Sequence, residues 1–331
     1  MKILVTGGCG YIGSHTVVDL LNNNMDVIIV DNLINSKIDV LDKIKKIKNK
    51  EVIFYQIDMC DKEELRHVFE KEHIDSVIHF AGLKAVGESV EKPLMYYKNN
   101  LISTLNLLDL MKEYNVKKIV FSSSATVYGN PKSLPIKEDF PLSTTNPYGT
   151  TKLMIENILK DLYKSDNTFD ITILRYFNPI GAHKSGLLGE DPNGIPNNLM
   201  PYIVRVATGK LPILNIFGDD YNTVDGTGVR DYIHVLDLAH GHVLSLQNKK
   251  NGLKIYNLGT GKGTSVLELV NTFEKMNNIK INKQIVARRE GDIDACFASN
   301  ELAKEELGFN PEYNIEDMCK DSYNFAIKEN N

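Results

Sequence analysis

The sequence predicts an α/β protein built on one doubly wound sheet of parallel strands. Short apolar runs recur up to about residue 178, as buried parallel strands require, and segments with helical periodicity separate them. The predicted strands cover residues 3–5, 27–30, 52–57, 77–80, 119–121 and 171–174. Strands that alternate with crossover helices in this way give a parallel sheet with helices on both faces.

A glycine-rich turn follows the first apolar run. Gly7, Gly8, Gly10 and Gly13 lie between this run and a helical segment, and the next apolar run ends at Asp31. A βαβ unit of about 30 residues with these features predicts a Rossmann dinucleotide site, with the pyrophosphate at the helix N-terminus. Asp31 is placed to accept hydrogen bonds from the ribose hydroxyls and would repel a 2′-phosphate, which favours NAD over NADP. A glycine-rich turn without a ligand is the alternative.

Composition limits the classes of function. The chain has 331 residues, of which 42% are hydrophobic and 24% are charged, and its formal net charge is −5. This charge argues against nucleic acid as the main partner, and the basic run 43–50 is expected to be a solvated helix face. No apolar run reaches the roughly 18 residues of a membrane span, and the N-terminal run is too short for a signal sequence.

The cysteines and histidines do not predict a metal site or a disulfide. The four cysteines lie far apart and form no Cys-x-x-Cys motif: Cys9, Cys60, Cys296 and Cys319. This usage fits a reducing cytosol and a cytoplasmic protein. His234, His240 and His242 fall in a helical pattern without neighbouring cysteines, so we expect structural roles and no metal.

The composition and periodicity of the sequence change near residue 178. Helices are predicted over 38–47, 61–72, 93–114 and 148–164, before a stretch rich in Gly, Pro and Asn over 179–198. We therefore predict a Rossmann domain over 1–177, to which 232–257 returns, and a smaller mixed α/β domain over 178–331. Ligands lie at the carboxyl ends of strands in such sheets.

A tyrosine and a lysine open the helix predicted after Asn146. Tyr148 and Lys152 are four residues apart and share one helix face. A tyrosine has an unperturbed pKa near ~10, and a neighbouring ammonium favours the ionised form. Tyr148 is thus a candidate general base, and the Ser124 hydroxyl would bridge it to a substrate oxygen. An ordinary helix pair is the alternative.

Long stretches of the chain resemble one enzyme family. Residues 6–15, 121–129 and 148–152 resemble the extended short-chain dehydrogenase/reductases. Within that family, the nucleotide-sugar 4-epimerases are similar over essentially the whole chain, on the stretches 79–89, 174–178, 194–199 and 226–232.

The resemblance implies tightly held NAD and reversible interconversion of UDP-glucose and UDP-galactose through a 4-keto sugar. The second domain would then bind the nucleotide-sugar. The implied catalytic residues are Tyr148, Lys152 and Ser124. The implied cofactor-binding residues are Gly7, Gly8, Gly10, Tyr11, Ile12, Gly13, Asp31, Asn32, Asn35, Ser36, Asp58, Met59, Phe80, Ala81, Lys84, Asn99, Tyr148, Lys152 and Tyr176.

The resemblance also implies a set of substrate-binding residues. They are Lys84, Ser124, Tyr148, Asn178, Asn198, Leu199, Asn215, Phe217, Arg230, Arg289, Asp292 and Cys296. The chemistry agrees for Arg230 and Arg289, because guanidinium groups bind a diphosphate through bidentate charge-assisted bonds. Surface salt bridges are the alternative for both arginines. The N–H groups at the start of the helix at Asn198 would suit the same diphosphate.

Residue 296 carries a specificity hypothesis. Epimerases restricted to UDP-glucose and UDP-galactose have a tyrosine here, and those that also accept N-acetylated sugars have a smaller residue. Cys296 would leave room for the N-acetyl group and predicts activity on UDP-N-acetylglucosamine and UDP-N-acetylgalactosamine as well. Simple core packing of Cys296 is the alternative, because free cysteine is often buried.

Two rival functions share the fold. Nucleotide-sugar 4,6-dehydratases or decarboxylases need an extra acid, and the family's dehydratases carry Thr-Asp-Glu where this chain has Ser124, Ala125 and Thr126. A non-catalytic NAD-sensing protein should have lost Tyr148, Lys152 or Ser124, and all three are present.

The resemblance further suggests a homodimer through the helices near 93–114 and 148–164. Both contain more apolar residues than one face needs: Leu101, Leu105, Leu107, Leu108, Leu110, Leu153, Ile155, Ile158, Leu159 and Leu162.

Overall fold

The computed structural model describes residues 1–192, 194, 196, 198–289 and 292–329. The chain divides into two compact units. Unit 1 comprises Met1–Gly129, Pro141–Arg175 and Ala239–Tyr256, and unit 2 comprises Asn130–Phe140, Tyr176–Leu238 and Asn257–Asn331. Ile195 and Asn197, in the predicted stretch 194–199, lie outside the described residues, as do Glu290 and Gly291.

The elements follow the predicted alternation. The strands are β1 (Lys2–Thr6), β2 (Asp26–Asp31), β3 (Ile53–Gln56), β4 (Ser76–His79), β5 (Lys118–Ser124), β6 (Asp170–Tyr176), β7 (Asn178–Ile180), β8 (Leu214–Phe217), β9 (Val229–Arg230), β10 (Tyr232–His234), β11 (Leu253–Leu258), β12 (Thr264–Ser265), β13 (Lys283–Val286) and β14 (Ala295–Cys296). The helices are α1 (Tyr11–Asn22), α2 (Asp39–Lys48), α3 (Lys62–Lys71), α4 (Val86–Glu91), α5 (Pro93–Glu113), α6 (Pro147–Ser165), α7 (Leu199–Ala207), α8 (Val235–Gln247), α9 (Val266–Asn277), α10 (Glu301–Leu307) and α11 (Ile315–Glu329).

Among the described residues, seven strands form one large sheet in the order β11-β6-β5-β4-β1-β2-β3. β1 pairs in parallel with β2 and with β4, so the strand order reverses direction at β1. The prediction of a doubly wound parallel sheet is confirmed. In such a sheet, ligands bind outside the carboxyl ends of the strands where the order reverses.

Local signals place the helices of unit 1. The Asp61 carboxylate accepts hydrogen bonds from the N–H groups of Glu63 and Glu64 and caps α3. The Asn146 side chain accepts one from Gly149 N–H and caps α6, whose first residue is Pro147. The short helix α4 was not predicted, because its polar and glycine residues give no helical periodicity.

The helices α5 and α6 pack against each other as well as on the sheet. Half of the apolar residues that we assigned to a dimer interface are therefore buried inside unit 1, which corrects that assignment: Leu107, Leu108, Leu110, Ile155 and Leu159. Leu105 is 45% exposed, and Leu94 at the start of α5 is 72% exposed. The exposed apolar positions therefore coincide with the predicted set only in part, at Leu105.

Unit 2 contains small sheets and its own core. β10 pairs with β7, β13 with β8, and β9 with both β12 and β14. Ser265 and Glu268 form a capping box at the start of α9. His234 ends strand β10, so its assignment to a helical pattern was wrong. Its ring Nε2 lies 3.2 Å from a carboxylate oxygen of Asp321.

The described residues contain neither a membrane-spanning helix nor a metal-binding cluster nor a disulfide. No described helix combines the length and the apolar character of a membrane span. No group of three His, Cys, Asp or Glu side chains in the described part could hold a metal ion. All four cysteines carry free thiols.

Candidate active site

The glycine turn between β1 and α1 is sterically closed to side chains. Gly7 has a φ of +70°, and a Cβ on it would lie 2.8 Å from the amide nitrogen of Ala81. A Cβ on Gly8 would lie 2.8 Å from Ile29 of β2, and one on Gly13 would collide with the Gly7 carbonyl oxygen. The turn is therefore a close-packed cradle of backbone groups at the N-terminus of α1, as a pyrophosphate site requires.

Asp31 lies at the end of β2 beside this turn. Its carboxylate accepts hydrogen bonds from the N–H of Cys9 at 3.0 Å and of Leu33 at 2.9 Å, and from the Ser36 hydroxyl at 3.0 Å. It therefore fixes the glycine turn to the loop after β2. Two carboxylate oxygens accept about four hydrogen bonds, so capacity remains for a ribose hydroxyl.

The end of β4 belongs to a buried hydrogen-bond chain. The ring nitrogens of His79 lie 2.7 Å from the Thr6 hydroxyl and 2.9 Å from the Thr104 hydroxyl. Asn100 bonds the backbone of Leu83 through both its amide oxygen and its amide nitrogen. This chain holds the loop after β4 in place. We did not single out His79 for any role or predict Asn100, although polar residues within apolar stretches were a usable signal.

Tyr148 and Lys152 occupy the first two turns of α6. Both are 5% exposed. The Lys152 Nζ donates a hydrogen bond of 2.8 Å to the Ser122 carbonyl oxygen and lies 6.0 Å from the centre of the Tyr148 ring. The two side chains therefore share one buried face, as the spacing predicted.

Burial changes the acidity of the Lys152 ammonium. Desolvation lowers its pKa from 10.5 to about 8, and the Glu156 carboxylate acts in the opposite direction. His79 is fully buried, and desolvation followed by the charge of Lys152 lowers its pKa to about 3. His79 is thus neutral at pH 7, and Lys152 remains a cation in a low-dielectric setting where its field is strong.

Ser124 ends β5 at the start of a short turn, Ala125–Tyr128. Its hydroxyl oxygen accepts a hydrogen bond from Thr126 N–H, and the residue is 7% exposed. A Cβ on Gly149 of α6 would lie 3.2 Å from the Thr126 carbonyl oxygen. The start of α6 and the end of β5 therefore approach closely, which places Ser124 and Tyr148 in the same region of unit 1.

The remaining predicted cofactor residues of unit 1 lie at or near the carboxyl ends of its strands. The Asn32 amide contacts the Asp58 carboxylate at 3.5 Å, and Asn99 Nδ2 lies 4.0 Å from the Cys60 sulfur. The Phe80 ring lies 4.7 Å from the ring of His242. Met59 is buried, while the backbone carrying Lys84 follows β4 and its side chain is exposed. Further residues of this set lie on the first turn of α1, in the two loops or at the end of β6: Tyr11, Ile12, Asn35, Ala81 and Tyr176.

In unit 2, two predicted arginines share one carboxylate. Arg289 Nε donates to Asp292 at 3.0 Å, and Arg230 NH2 lies 3.7 Å from the same carboxylate. Arg230 also donates to the carbonyl oxygens of Val229 and Ile293. The Arg289 guanidinium lies 4.7 Å from the centre of the Phe217 ring. Two cations on one anion leave a net positive charge, which suits a phosphate ligand.

The other predicted substrate residues lie in the same unit. Asn198 precedes α7 and Leu199 begins it; the Asn198 amide donates to Glu190, so it does not cap the helix. Asn178 begins β7 and is exposed, and the Asn215 oxygen on β8 accepts from Gln284.

Cys296 pairs with Arg230 across β14 and β9. Its carbonyl oxygen accepts a hydrogen bond from Asp231 N–H at 3.0 Å. Burial raises the pKa of its thiol to about 11, so the side chain is a small neutral group. Asp231, which was not predicted, is fully buried and accepts hydrogen bonds from Thr260 and Ala298. It fixes the strand that carries Arg230.

A glycine cradle, an acid after the second strand and a buried Tyr/Lys pair are typical of the extended short-chain dehydrogenase/reductases. The profile of a family described as GDP-mannose 4,6 dehydratase matches residues 4–322. A UDP-glucose 4-epimerase of Bacillus subtilis is 58% identical over 98% of this chain and 96% of its own length. The chain therefore belongs to the family of that profile and, within it, to the UDP-glucose 4-epimerases.

Solved structures agree. The UDP-glucose 4-epimerase of Bifidobacterium longum, solved with NAD+ and UDP, superposes with a TM-score of 0.97 at 55% identity, over 100% of this chain and 99% of the other. A UDP-Glc/GlcNAc 4-epimerase of Campylobacter jejuni superposes with a TM-score of 0.87 at 34% identity, with 99% of each chain covered.

Proposed function

We propose that this chain interconverts UDP-glucose and UDP-galactose by C4 epimerisation with tightly bound NAD. The observation that carries the proposal is the buried pair of Tyr148 and Lys152 at the start of α6, next to the turn that follows Ser124. The glycine cradle and Asp31 fit the cofactor, because their backbone and carboxylate groups match a pyrophosphate and a ribose.

Each catalytic side chain has a separate task. NAD, when bound, supplies the acceptor for the hydride that leaves sugar C4 and the donor that returns it to the opposite face. Tyr148 accepts the proton of the 4-hydroxyl and later returns it. Lys152 stabilises the tyrosine anion by its charge, and the Ser124 hydroxyl orients the sugar oxygen.

The two units bind different ligands. Unit 1 holds NAD through residues at the ends of its strands, and unit 2 holds the UDP-sugar. Arg230 and Arg289 bind the diphosphate, because both guanidinium groups lie around Asp292 with one positive charge in excess. The N–H groups at the start of α7 add further donors.

Dehydration is disfavoured by the residues that follow β5. The turn Ala125–Tyr128 contains no carboxylate that could act as the acid which elimination of water needs. A role as a non-catalytic NAD sensor is disfavoured because Tyr148, Lys152 and Ser124 are all present.

The proposal extends to N-acetylated sugars. Cys296 is smaller than a tyrosine and lies directly opposite Arg230 in the sheet of unit 2. A small residue leaves volume for a 2-N-acetyl group while the sugar turns over. The chain would then also interconvert UDP-N-acetylglucosamine and UDP-N-acetylgalactosamine, as the name of the Campylobacter jejuni relative indicates for its glucosamine substrate.

We further propose a cytoplasmic homodimer. The free thiols fit a reducing compartment. Unit 1 exposes apolar side chains along α4 to α6 that a second copy could cover: Val86, Val90, Leu94, Met95, Ile102, Leu105 and Met154. Equilibrium sedimentation should give twice the mass of the chain, and a Leu94→Lys/Leu105→Lys variant should give a monomer. A monomeric wild-type chain at all concentrations would overturn this assembly.

Turnover tests the central proposal. The purified protein is incubated with UDP-galactose and no added NAD, and the product is identified by chromatography. Formation of UDP-glucose supports epimerisation, whereas a 4-keto-6-deoxy product would indicate a dehydratase. No product even with added NAD would contradict the enzyme assignment.

A further inference from the structure

A buried ion pair lies one helical turn beyond Lys152. Arg175 on β6 donates two hydrogen bonds to Glu156 on α6, from Nε at 3.0 Å and from NH2 at 2.7 Å. Arg175 is 1% exposed and Glu156 is 0% exposed. Both charges are therefore fully removed from water, and their geometry is bidentate.

Two further side chains complete the arrangement. The Ser123 hydroxyl donates to Glu156 Oε1 at 2.7 Å, and Arg175 NH1 donates to the Tyr128 hydroxyl at 2.9 Å. Ser123 lies between Ser122, whose carbonyl oxygen binds Lys152, and Ser124. The pair therefore ties α6, β5, β6 and the turn after β5 together at the place where the catalytic side chains begin.

Stability does not explain this pair by itself. Replacing a buried ion pair by apolar side chains of similar volume is often neutral or stabilising, because desolvation of the two charges offsets their attraction. A sequence that only needed a packed core here could use leucine and methionine. The charges therefore point to an electrostatic task.

The surroundings of Lys152 identify that task. On its own helix it faces Tyr148 one turn before and Glu156 one turn after. From β5 it meets the Ser122 carbonyl oxygen and the Phe121 ring, at 2.8 Å and 4.8 Å. The remaining charged or titratable groups are His79 on β4, Arg175 behind Glu156, and Lys160, which lies 3.6 Å from Glu156.

Among these described groups, Glu156 supplies the negative charge that acts on Lys152. His79 is neutral at pH 7 because burial lowers its pKa. Arg175 holds the Glu156 carboxylate in one orientation through hydrogen bonds to both oxygens.

We propose that Glu156, fixed by Arg175, is a positioning residue that keeps Lys152 protonated beside Tyr148. The inference rests on the epimerase function proposed above. Without the carboxylate, the buried ammonium gives up its proton more readily, and the proton shared by Lys152 and Tyr148 stays on the phenol. The active form, with an ionised tyrosine and a protonated lysine, then becomes a smaller fraction of the enzyme.

Glu156→Gln tests this in the holoenzyme, because it keeps the shape of the side chain and removes its charge. We expect the acid limb of the kcat profile to move to lower pH, since Lys152 and Tyr148 together lose their first proton more easily. We also expect the plateau to fall by at least about fivefold, on the scale of one charge interaction. An unchanged profile and plateau in a folded variant would overturn the proposal.

The double variant Glu156→Leu/Arg175→Met separates positioning from stability. It replaces both charged side chains by apolar ones of similar volume, so the thermal unfolding midpoint should lie within a few degrees of that of the wild type. The displaced acid limb should persist, because the charge facing Lys152 is still missing. Return of the wild-type profile together with the midpoint would show a structural role only and overturn the proposal.

A measurement that requires no turnover distinguishes the failure of this inference from the failure of the proposed function. The ultraviolet difference absorbance between the wild type and Tyr148→Phe, followed against pH, reports ionisation of this one tyrosine. We expect the same difference, measured in the Glu156→Gln background, to show less tyrosine anion on the plateau between the acid and basic limbs, where the pair has lost one proton. An equal or larger anion signal on that plateau would contradict the proposal even if no UDP-sugar were turned over.

Discussion

The Nζ of Lys152 lies 2.8 Å from the carbonyl oxygen of Ser122, two residues before Ser124 on β5. This hydrogen bond fixes the ammonium against the strand that carries one catalytic side chain, while the helix that carries the ammonium also carries Tyr148. The reacting groups are therefore held by rigid elements and not by loops, which favours precise positioning.

Replacing Tyr148 by phenylalanine should remove the general base while keeping the fold and the bound cofactor. We expect turnover of UDP-galactose to fall by at least about 10²-fold, the usual scale of general acid–base catalysis. Tyr163→Phe on the same helix is the matched control and should leave turnover unchanged. Near-normal turnover of Tyr148→Phe would contradict the assignment.

Replacing Lys152 by alanine should move the pH optimum. The phenolate of Tyr148 then loses its cationic neighbour, so ionisation requires a higher pH. We expect the activity maximum to shift upward, in a pH-rate profile measured with the cofactor-loaded protein. Normal activity with an unshifted profile would argue against a role for Lys152.

Burial of Lys152 should also lower the stability of the fold. The pKa of Lys152 is about 8 in the folded chain, against an ordinary value of 10.5. Between pH 8 and pH 10.5 the unfolded chain therefore holds one more proton at this residue than the folded chain does. The loss of folding free energy caused by burying the ammonium is present in full below about pH 8 and disappears as the pH rises toward 10.5.

A Lys152→Met variant should therefore unfold at a higher denaturant concentration than the wild type at pH 7, by a margin that narrows toward pH 10. Lys164→Met at the exposed end of α6 is the control and should show no such pH dependence. Equal midpoints for Lys152→Met and the wild type at pH 7 would contradict the expected cost.

The bound cofactor should be NAD and not NADP. The carboxylate of Asp31 at the end of β2 would repel a 2′-phosphate. Denaturing the purified protein releases the cofactor, which mass spectrometry identifies directly. Recovery of mainly NADP would overturn this prediction, and a Ser36→Ala variant, which keeps the Asp31 charge, should give the same result as the wild type.

Substitution of Cys296 by tyrosine should change the substrate range. The added ring fills the space for the N-acetyl group, so turnover of UDP-N-acetylgalactosamine should disappear while turnover of UDP-galactose persists. Cys296→Ala is the control at the same position and should keep both activities. The hypothesis fails if the wild type converts UDP-galactose but has no detectable activity on the N-acetylated pair.

The strongest local signals in the sequence were sufficient to predict most of unit 1. The apolar runs, Pro147 and the Asp61 cap each have a short-range cause, and the strands and helices begin where these residues indicate. Tyr148 and Lys152 could be paired because helical spacing alone places them on one face.

Partners distant in sequence could not be predicted. Asp292 lies far along the chain from Arg230, and no local pattern indicates that one carboxylate serves two arginines. The same holds for the contact of Arg175 with Glu156. Five of the ten apolar residues that we assigned to an interface on α5 and α6 are buried inside unit 1 instead, because periodicity shows that a residue is buried but not what covers it.

The strand β11 forms the outer edge of the large sheet, next to β6, although unit 2 residues separate the two in sequence. During synthesis β6 leaves the ribosome before β11 does. One edge of β6 therefore has unpaired backbone N–H and C=O groups until residues 253–258 leave the exit tunnel. Such an edge is a template for pairing with other chains. Nascent chains that stall before this point should therefore aggregate through the edge of β6, and aggregation through that edge should stop once β11 pairs with it.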